Sequence, residues 1–298
     1  MFKEYNEYFE TLQIDKSKHT VRAYTHILGR FIEYFKIENI DDIKKLTDKD
    51  IQSYLNFLTT KITAKNLDTA KSSANSHYRS IKAFMNWLVS HGYMETAPIL
   101  QVRRYKEAKK IAVIFTKEER DAIILATKKR PNLQMMMAVL FYTGLRREEA
   151  VNVKVSDINN GVLTVHGKGN KERELSLTTF VMEMINKDLA RRKVPCEYLF
   201  VSLRGNHQIT PEALLARVKI ACQMAGISEE KISKIGAHSI RRSFACFLLL
   251  DGWSTFAISK ALGHSSILTT EKYVEPAKSL ASTRAMLGQA SPSWYEEK

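Results

Sequence analysis

Residues 133 to 144, LQMMMAVLFYTG, are apolar at almost every position and end in glycine. A helix through them has no polar stripe to turn to water, so the chain must build a core around it on nearly all sides. The run falls far short of the roughly 20 apolar residues of a membrane span, and Gly144 is placed to end the helix. Consecutive Met135, Met136 and Met137 read as core filler rather than as a ligand set. The expectation is a buried central helix within a domain of some size. A chain of 298 residues has room for that domain and a second one.

The second lies upstream, and the first hundred residues read as helical throughout. Val21, Tyr24, Ile27, Leu28, Phe31 and Phe35 repeat at the spacing of one helix face. Thr47 precedes Asp50 by three positions, a capping arrangement ahead of an apolar run. A further helix carries Tyr78, Ile81, Phe84, Met85 and Leu88 and should end at Gly92. Its other positions, His77, Arg79, Lys82 and Asn86, are candidates for lining DNA or for a solvated face. The stretch QVRRYKEAKK, with Arg103 and Arg104, is basic and poor in apolar residues, as a linker is. The expected division is a helical domain at 1–101, a linker at 102–111 and a larger domain at 112–298.

In the larger domain Thr116 and Glu119 form a capping box. The period then changes: GVLTVHGKGNKERELSL sets alternating strands around a glycine-rich turn, a β-hairpin. Helices resume at Thr210–Pro211, continue through HSIRRSFACFLLLDG and STFAISKALG, and finish with AKSLASTRAMLG. The fold class is mainly α with a small antiparallel β-sheet or hairpin, α+β overall.

The chain has 46 Lys+Arg against 32 Asp+Glu, a net charge of +14. Residues 1–110 contribute 19 basic and 13 acidic side chains, so +6 lies there and +8 in the remainder. Both domains are therefore basic, which suits a polyanion, nucleic acid before an anionic membrane surface. Cys196, Cys222 and Cys246 are scattered and odd in number, which argues against structural disulfides and a zinc site. No signal-peptide layout opens the chain, and an intracellular protein is expected.

Four places put cationic or titratable groups at element ends. Arg146 follows Gly144 at the head of a helix, and Lys168 sits in the hairpin turn. His238 and Arg241 are three apart at a helix start, where they are expected to project on one face. His264 follows Gly263, and Tyr273 comes nine positions later, expected at the start of the next helix. Two arginines, a lysine, two histidines and a tyrosine, with no carboxylate cluster for Mg²⁺, suit metal-free phosphoryl transfer on a diester. Guanidiniums offer paired donors to the non-bridging oxygens and stabilise the charge of the transition state. A tyrosine needs such cations or a base to attack as phenolate, and a mobile lysine suits protonation of the leaving oxygen.

In order and spacing, TGLRREE, GKGNKER, HSIRRSFA and LGHSSILTTEKY resemble the motifs of the tyrosine recombinase (phage integrase-type) family, and the resemblance covers essentially the whole chain. It implies an N-terminal helical, SAM-like core-binding domain and a tyrosine-recombinase catalytic domain. It further implies Arg146, Lys168, His238, Arg241, His264 and Tyr273 as the catalytic set, with Glu149 supporting Arg146 from behind. The implied reaction is attack by Tyr273 on DNA, leaving a 3′-phosphotyrosyl link and a free 5′-hydroxyl, without metal, cofactor or ATP. The implied role is site-specific recombination or resolution. Related tyrosine enzymes that relax DNA or resolve its ends are the alternative, and a non-catalytic DNA-binding protein a more distant one.

The chain is similar to simple two-domain members, the Xer-type recombinases and transposon-encoded resolvases, without a further arm-binding domain. The implied partners are a double-stranded recombination site and a homotetramer on two duplexes, with or without a paralogue. Subunits would exchange a C-terminal helix around Leu280, Met286 and Leu287. The implied setting is cytoplasmic and nucleoid-associated, of prokaryotic or mobile-element origin, with no membrane. One departure concerns Arg242, which stands where many members carry histidine. DNA phosphate contact and salt-bridge partner are both open readings of it.

Overall fold

A computed structural model describes residues 2–60, 67–106, 113–167, 171–202, 207–264 and 266–275. Lys168, residues 107–111 of the expected linker and the C-terminal segment with Leu280, Met286 and Leu287 lie outside the described residues. The chain divides into two compact units, Met1–Lys110 and Ile111–Lys298.

The first unit is all-helical: α1 (Lys3–Asp15), α2 (Lys18–Phe35), short α3 (Ile40–Lys44), α4 (Asp48–Thr60) and α5 (Leu67–Ser90). Helices α2 and α4 are delimited by local chemistry. Ser17 caps α2 by accepting from the Thr20 N–H, and Lys36 closes that helix in the left-handed region. Thr47 and Asp50 cap each other reciprocally ahead of α4. The Tyr5, Tyr8, Phe9, Phe31, Tyr54, Ile81, Phe84, Met85 and Leu88 side chains are all buried in one core. Each fully buried apolar side chain contributes about 1.5–3 kcal/mol.

Two expectations need correction in this unit. His77 is 3% exposed, with its Nδ1 2.9 Å from the Tyr54 hydroxyl. Burial and the nearby Arg30 and His26 push its pKa down to about 4. At 100° per residue His77 stands about 200° from Arg79, so the two cannot share a face. Arg79, Lys82 and Asn86, at i, i+3 and i+7, do share the exposed face of α5. Residues 102–105 also do not behave as a free linker. Val102 is in the core, and the Asn75 side chain bonds both the Tyr105 N–H and its carbonyl at 2.9 Å. Arg103 and Arg104 remain exposed.

The second unit is built around α7 (Pro131–Thr143), with Met135, Met136 and Met137 at 0% exposure and Gly144 in the left-handed conformation at φ 58°. A side chain at Gly144 would run into the Phe244 ring, so the glycine is required sterically as well as conformationally. Around α7 lie α6 (Lys117–Ala126), α8 (Arg147–Asn152), α9 (Thr179–Leu189), α10 (Pro211–Met224), α11 (Glu229–Ser233), α12 (Ser239–Leu250) and α13 (Thr255–Leu262). A further helix, α14, is described over 267–275. The expected Thr116–Glu119 capping box is present, and Thr210 caps α10 with Pro211 in its first turn.

The sheet has three antiparallel strands in the order β1 (Ile158–Asn159), β2 (Val162–His166) and β3 (Glu172–Ser176). Leu163 pairs with Leu175, and His166 with Glu172 next to the β2–β3 connection. Strand β1 had not been foreseen. Asn160 and Gly161, at φ 48° and 74°, form the two-residue Asn-Gly turn that signals such a hairpin. No helix among the described residues is long and apolar enough to cross a membrane.

Candidate active site

The C-terminal end of α13 organises the site. Helix ends leave their last carbonyls without intrahelical donors and carry partial negative charge. Here three successive carbonyls each take an arginine from a different segment. Arg173 Nε, on β3, donates to Ala261 O at 3.1 Å. Arg241 Nη2, on α12, donates to Leu262 O. Arg146 Nη2, just ahead of α8, donates to Gly263 O at 3.2 Å. Gly263 ends α13 at φ 63°, and a Cβ there would come 3.0 Å from Arg173 Cδ.

Glu149 is the counter-charge. Its Oε1 accepts from Arg146 Nη1 at 2.6 Å and from Arg173 Nη1 at 3.1 Å. Its Oε2 accepts from the Arg146 backbone N–H at 2.9 Å and from Arg173 Nη2 at 2.8 Å. Arg241 Nη1 lies 3.7 Å from the same Oε2. Burial raises the pKa of this carboxyl, but the hydrogen bonds from Arg173 and the Arg146 backbone, with the charge of Arg173 and the Arg146 side-chain bond, outweigh it and hold it at about 2. One carboxylate therefore serves three guanidiniums, and the cluster keeps a net positive charge.

Arg241 forms the floor. It is 1% exposed, and its Nη1 also donates to Gly144 O at 2.8 Å, so it joins the ends of α7 and α13. Burial, then the charge of Arg146, lowers its pKa to about 10, which leaves it charged at neutral pH. Its Nε is buried with no hydrogen-bond partner among the described residues. The expectation that His238 and Arg241 present themselves together thus holds only in part. His238 is exposed at the rim, whereas the helix-end carbonyls draw Arg241 inward.

Tyr273 lies over this floor. Its hydroxyl is 3.3 Å from His238 Nδ1, and its ring meets His264 edge-on at 5.2 Å between centroids. The Arg242 guanidinium carbon stands 4.9 Å from the centroid of the Tyr273 ring. The tyrosine lies about two turns into α14 rather than at its start, with its neighbour Val274 fully buried in a small cluster with Ala245, Ile258 and Leu262. His264 Nδ1 is 2.7 Å from the Thr270 hydroxyl, itself fully buried. Both imidazoles are held neutral. Burial, then the charges of Arg241 and Arg146, pushes His264 down to about 4 and lowers His238 in the same direction. A bound phosphodiester would bring negative charge and push both back up.

Arg146, His238, Arg241, His264 and Tyr273 are therefore brought together, with Glu149 behind them. The Arg79, Lys82, Arg103 and Arg104 side chains belong to the first unit. Sequence reasoning had passed over Arg173 and Thr270. The signal for Arg173 was strand alternation, which puts it on the same inward face as Leu175. Among the described residues no group of His, Cys, Asp or Glu is placed to hold a metal ion.

A fold of this kind with these arginines, histidines and tyrosine defines a DNA strand-transfer enzyme of the tyrosine type. The chain belongs to the phage integrase family, which it matches over residues 113–279, with the family's N-terminal SAM-like domain at residues 5–92. It is similar to tyrosine recombinase XerC of Oceanobacillus iheyensis, 26% identical over 91% of this chain and 90% of that protein. It is 31% identical to tyrosine recombinase XerA of Pyrococcus furiosus, over 87% of this chain and 84% of that one. In fold it resembles a lambda integrase tetramer bound to a Holliday junction, with a TM-score of 0.70 at 18% identity, over 91% of this chain and 76% of that chain.

Proposed function

We propose that this tyrosine recombinase cuts and rejoins a specific duplex site, with Tyr273 as its nucleophile. The phenol proton passes to His238 Nδ1 as Tyr273 Oη attacks phosphorus. The P–O5′ bond breaks, and the 3′-phosphate becomes linked to tyrosine. Arg146 and Arg241 stabilise the non-bridging oxygens, and His264 donates a hydrogen bond to the same group. Lys168, from the hairpin turn, protonates the leaving 5′-oxygen. A 5′-hydroxyl from the partner duplex then reverses the step, and the bond energy is retained. The observation that carries this reading is the Tyr273 hydroxyl 3.3 Å from His238, above a guanidinium cluster with surplus positive charge.

Arg79 and Lys82 on the exposed face of α5, with Arg103 and Arg104, supply phosphate contacts from the first unit. The active assembly is a homotetramer on two duplexes, as in the lambda integrase tetramer on its Holliday junction, with or without a paralogue. Segment 276–298 links neighbouring subunits, and the enzyme works at the nucleoid in the cytoplasm.

The reading is tested by incubating the full chain with nicked duplexes of randomised core sequence, denaturing, and sequencing the DNA that stays attached. Wild-type protein should yield covalent adducts, in EDTA as in Mg²⁺, because Glu149 is already taken up by arginines. No adduct under either condition overturns the enzyme reading, and adducts in Mg²⁺ alone overturn the role given to the arginines. A two-site plasmid carrying the recovered sequence then separates strand exchange from relaxation. Deleting residues from Ala277 onward should weaken tetramer assembly more than binding to a single site. Equal loss of both would limit the segment to stabilising its own subunit.

A further inference from the structure

We infer that Arg242 is a positioning residue for the nucleophile, a cation seated on the Tyr273 ring that holds it in place and favours its ionised form. This rests on the reading of Tyr273 as nucleophile. The guanidinium carbon is 4.9 Å from the ring centroid, within the distance at which a cation is attracted to an aromatic face. Arg242 is half-buried, and its Nε is buried with no hydrogen-bond partner among the described residues. No carboxylate among those residues is within ion-pair distance of it, whereas neighbouring Arg147 faces Glu148 and Glu212. A half-buried cation without a counter-ion among the described residues, or a hydrogen bond at Nε, has the π face as its principal partner.

The attraction differs between the two states of the tyrosine. When the phenol loses its proton, charge spreads into the ring and the cation above it is held more strongly. The contact is thus stronger in the attacking form than in the resting form, which is what accelerates a step. The other groups facing Tyr273 are His238, at its hydroxyl, and His264, at its edge. The charge of Arg241 on the same helix also acts on it. Both imidazoles are neutral, and Arg241 is already engaged with Glu149 and two carbonyls. Among the described residues, Arg242 is therefore the cation placed over the ring. Its position one residue after Arg241 places it about 100° round α12, away from the floor and on the side where the ring lies.

The test uses the full chain with Arg242→Gln and Arg242→Lys. Tyrosinate formation at Tyr273 is read by ultraviolet difference titration, each variant against the same variant carrying Tyr273→Phe. Single-turnover adduct formation is read as a function of pH on the duplex recovered with wild-type protein. Loss of the cation should displace the Tyr273 titration and the rising limb of the rate profile to higher pH. At neutral pH the rate should fall roughly three- to tenfold, and the deficit should close as the pH is raised. The lysine variant should restore part of it.

Weaker DNA binding with a lower salt slope and an unmoved titration would instead make Arg242 a phosphate contact and overturn the inference. Unchanged titration, rate and binding would overturn it as well. Should the glutamine variant fail to fold, the lysine titration decides, since an ammonium keeps the charge but not the planar stack. Adduct formation by Tyr273→Phe alone would sink the nucleophile reading itself, a result distinct from any of these.

Discussion

Tyr273→Phe is expected to bind DNA as the wild type does and to form no covalent adduct, the cleavage rate falling by more than about 10⁴-fold. The substitution removes one oxygen. That oxygen has a single side-chain partner among the described residues, His238 at 3.3 Å, and such a bond is worth about 1 kcal/mol. The ring keeps its edge contact with His264 and its seat beneath Arg242, and Val274 beside it stays buried. Folding and binding should therefore survive while the chemistry does not. Gel-shift affinity and denaturing-gel adduct yield, measured on the same nicked duplex, check both halves. Adduct formation by the phenylalanine variant would mean that another side chain attacks.

Glu149→Gln should act in the opposite manner, through the scaffold before the chemistry. The carboxylate is 8% exposed and accepts four hydrogen bonds from Arg146 and Arg173. An amide can accept only through one oxygen, and its NH₂ would face guanidinium donors. Removing one partner of a buried ion pair costs about 3–5 kcal/mol, and splaying Arg146 away from its place should lower cleavage by at least about 100-fold. The pH dependence has a definite sign. The folded-state pKa of Glu149, about 2, lies below its ordinary 4.5, so its ionisation stabilises the fold above the ordinary value. That contribution is lost as the pH falls from 4.5 towards 2. It amounts to about 3 kcal/mol. Urea unfolding of the full chain should show wild-type stability declining through that window and the glutamine variant declining less. Equal stability of the two proteins at neutral pH would show that the arginines do not depend on Glu149.

Much of this was legible in the amino-acid order, because the features concerned are local. Capping at Thr47, Thr116 and Thr210, the all-round burial of α7 and the stops at Gly92, Gly144 and Gly263 each depend on residues within a turn of one another. So does the antiparallel pairing of β2 with β3, close neighbours in the chain. What escaped depends on segments far apart in the chain. That Arg241 turns inward follows from carbonyls 97 and 21 positions away. That Arg173 belongs to the site follows from Glu149 and Ala261. His77 was misread for another reason: its chemical type suggested a surface role, while its angular position on α5 put it against Tyr54.

The three arginines at the end of α13 also bear on how the protein is made. Arg146 and Arg173 precede the carbonyls they hold by 117 and 88 positions. On a ribosome, where domains fold in order of emergence at roughly 5–20 residues per second, those guanidiniums appear several seconds before their acceptors. During that interval the first unit can already fold. A chain stopped just before Ala261 therefore carries the first unit and the Arg146 and Arg173 guanidiniums, but neither the α13 carbonyls that hold them nor Tyr273.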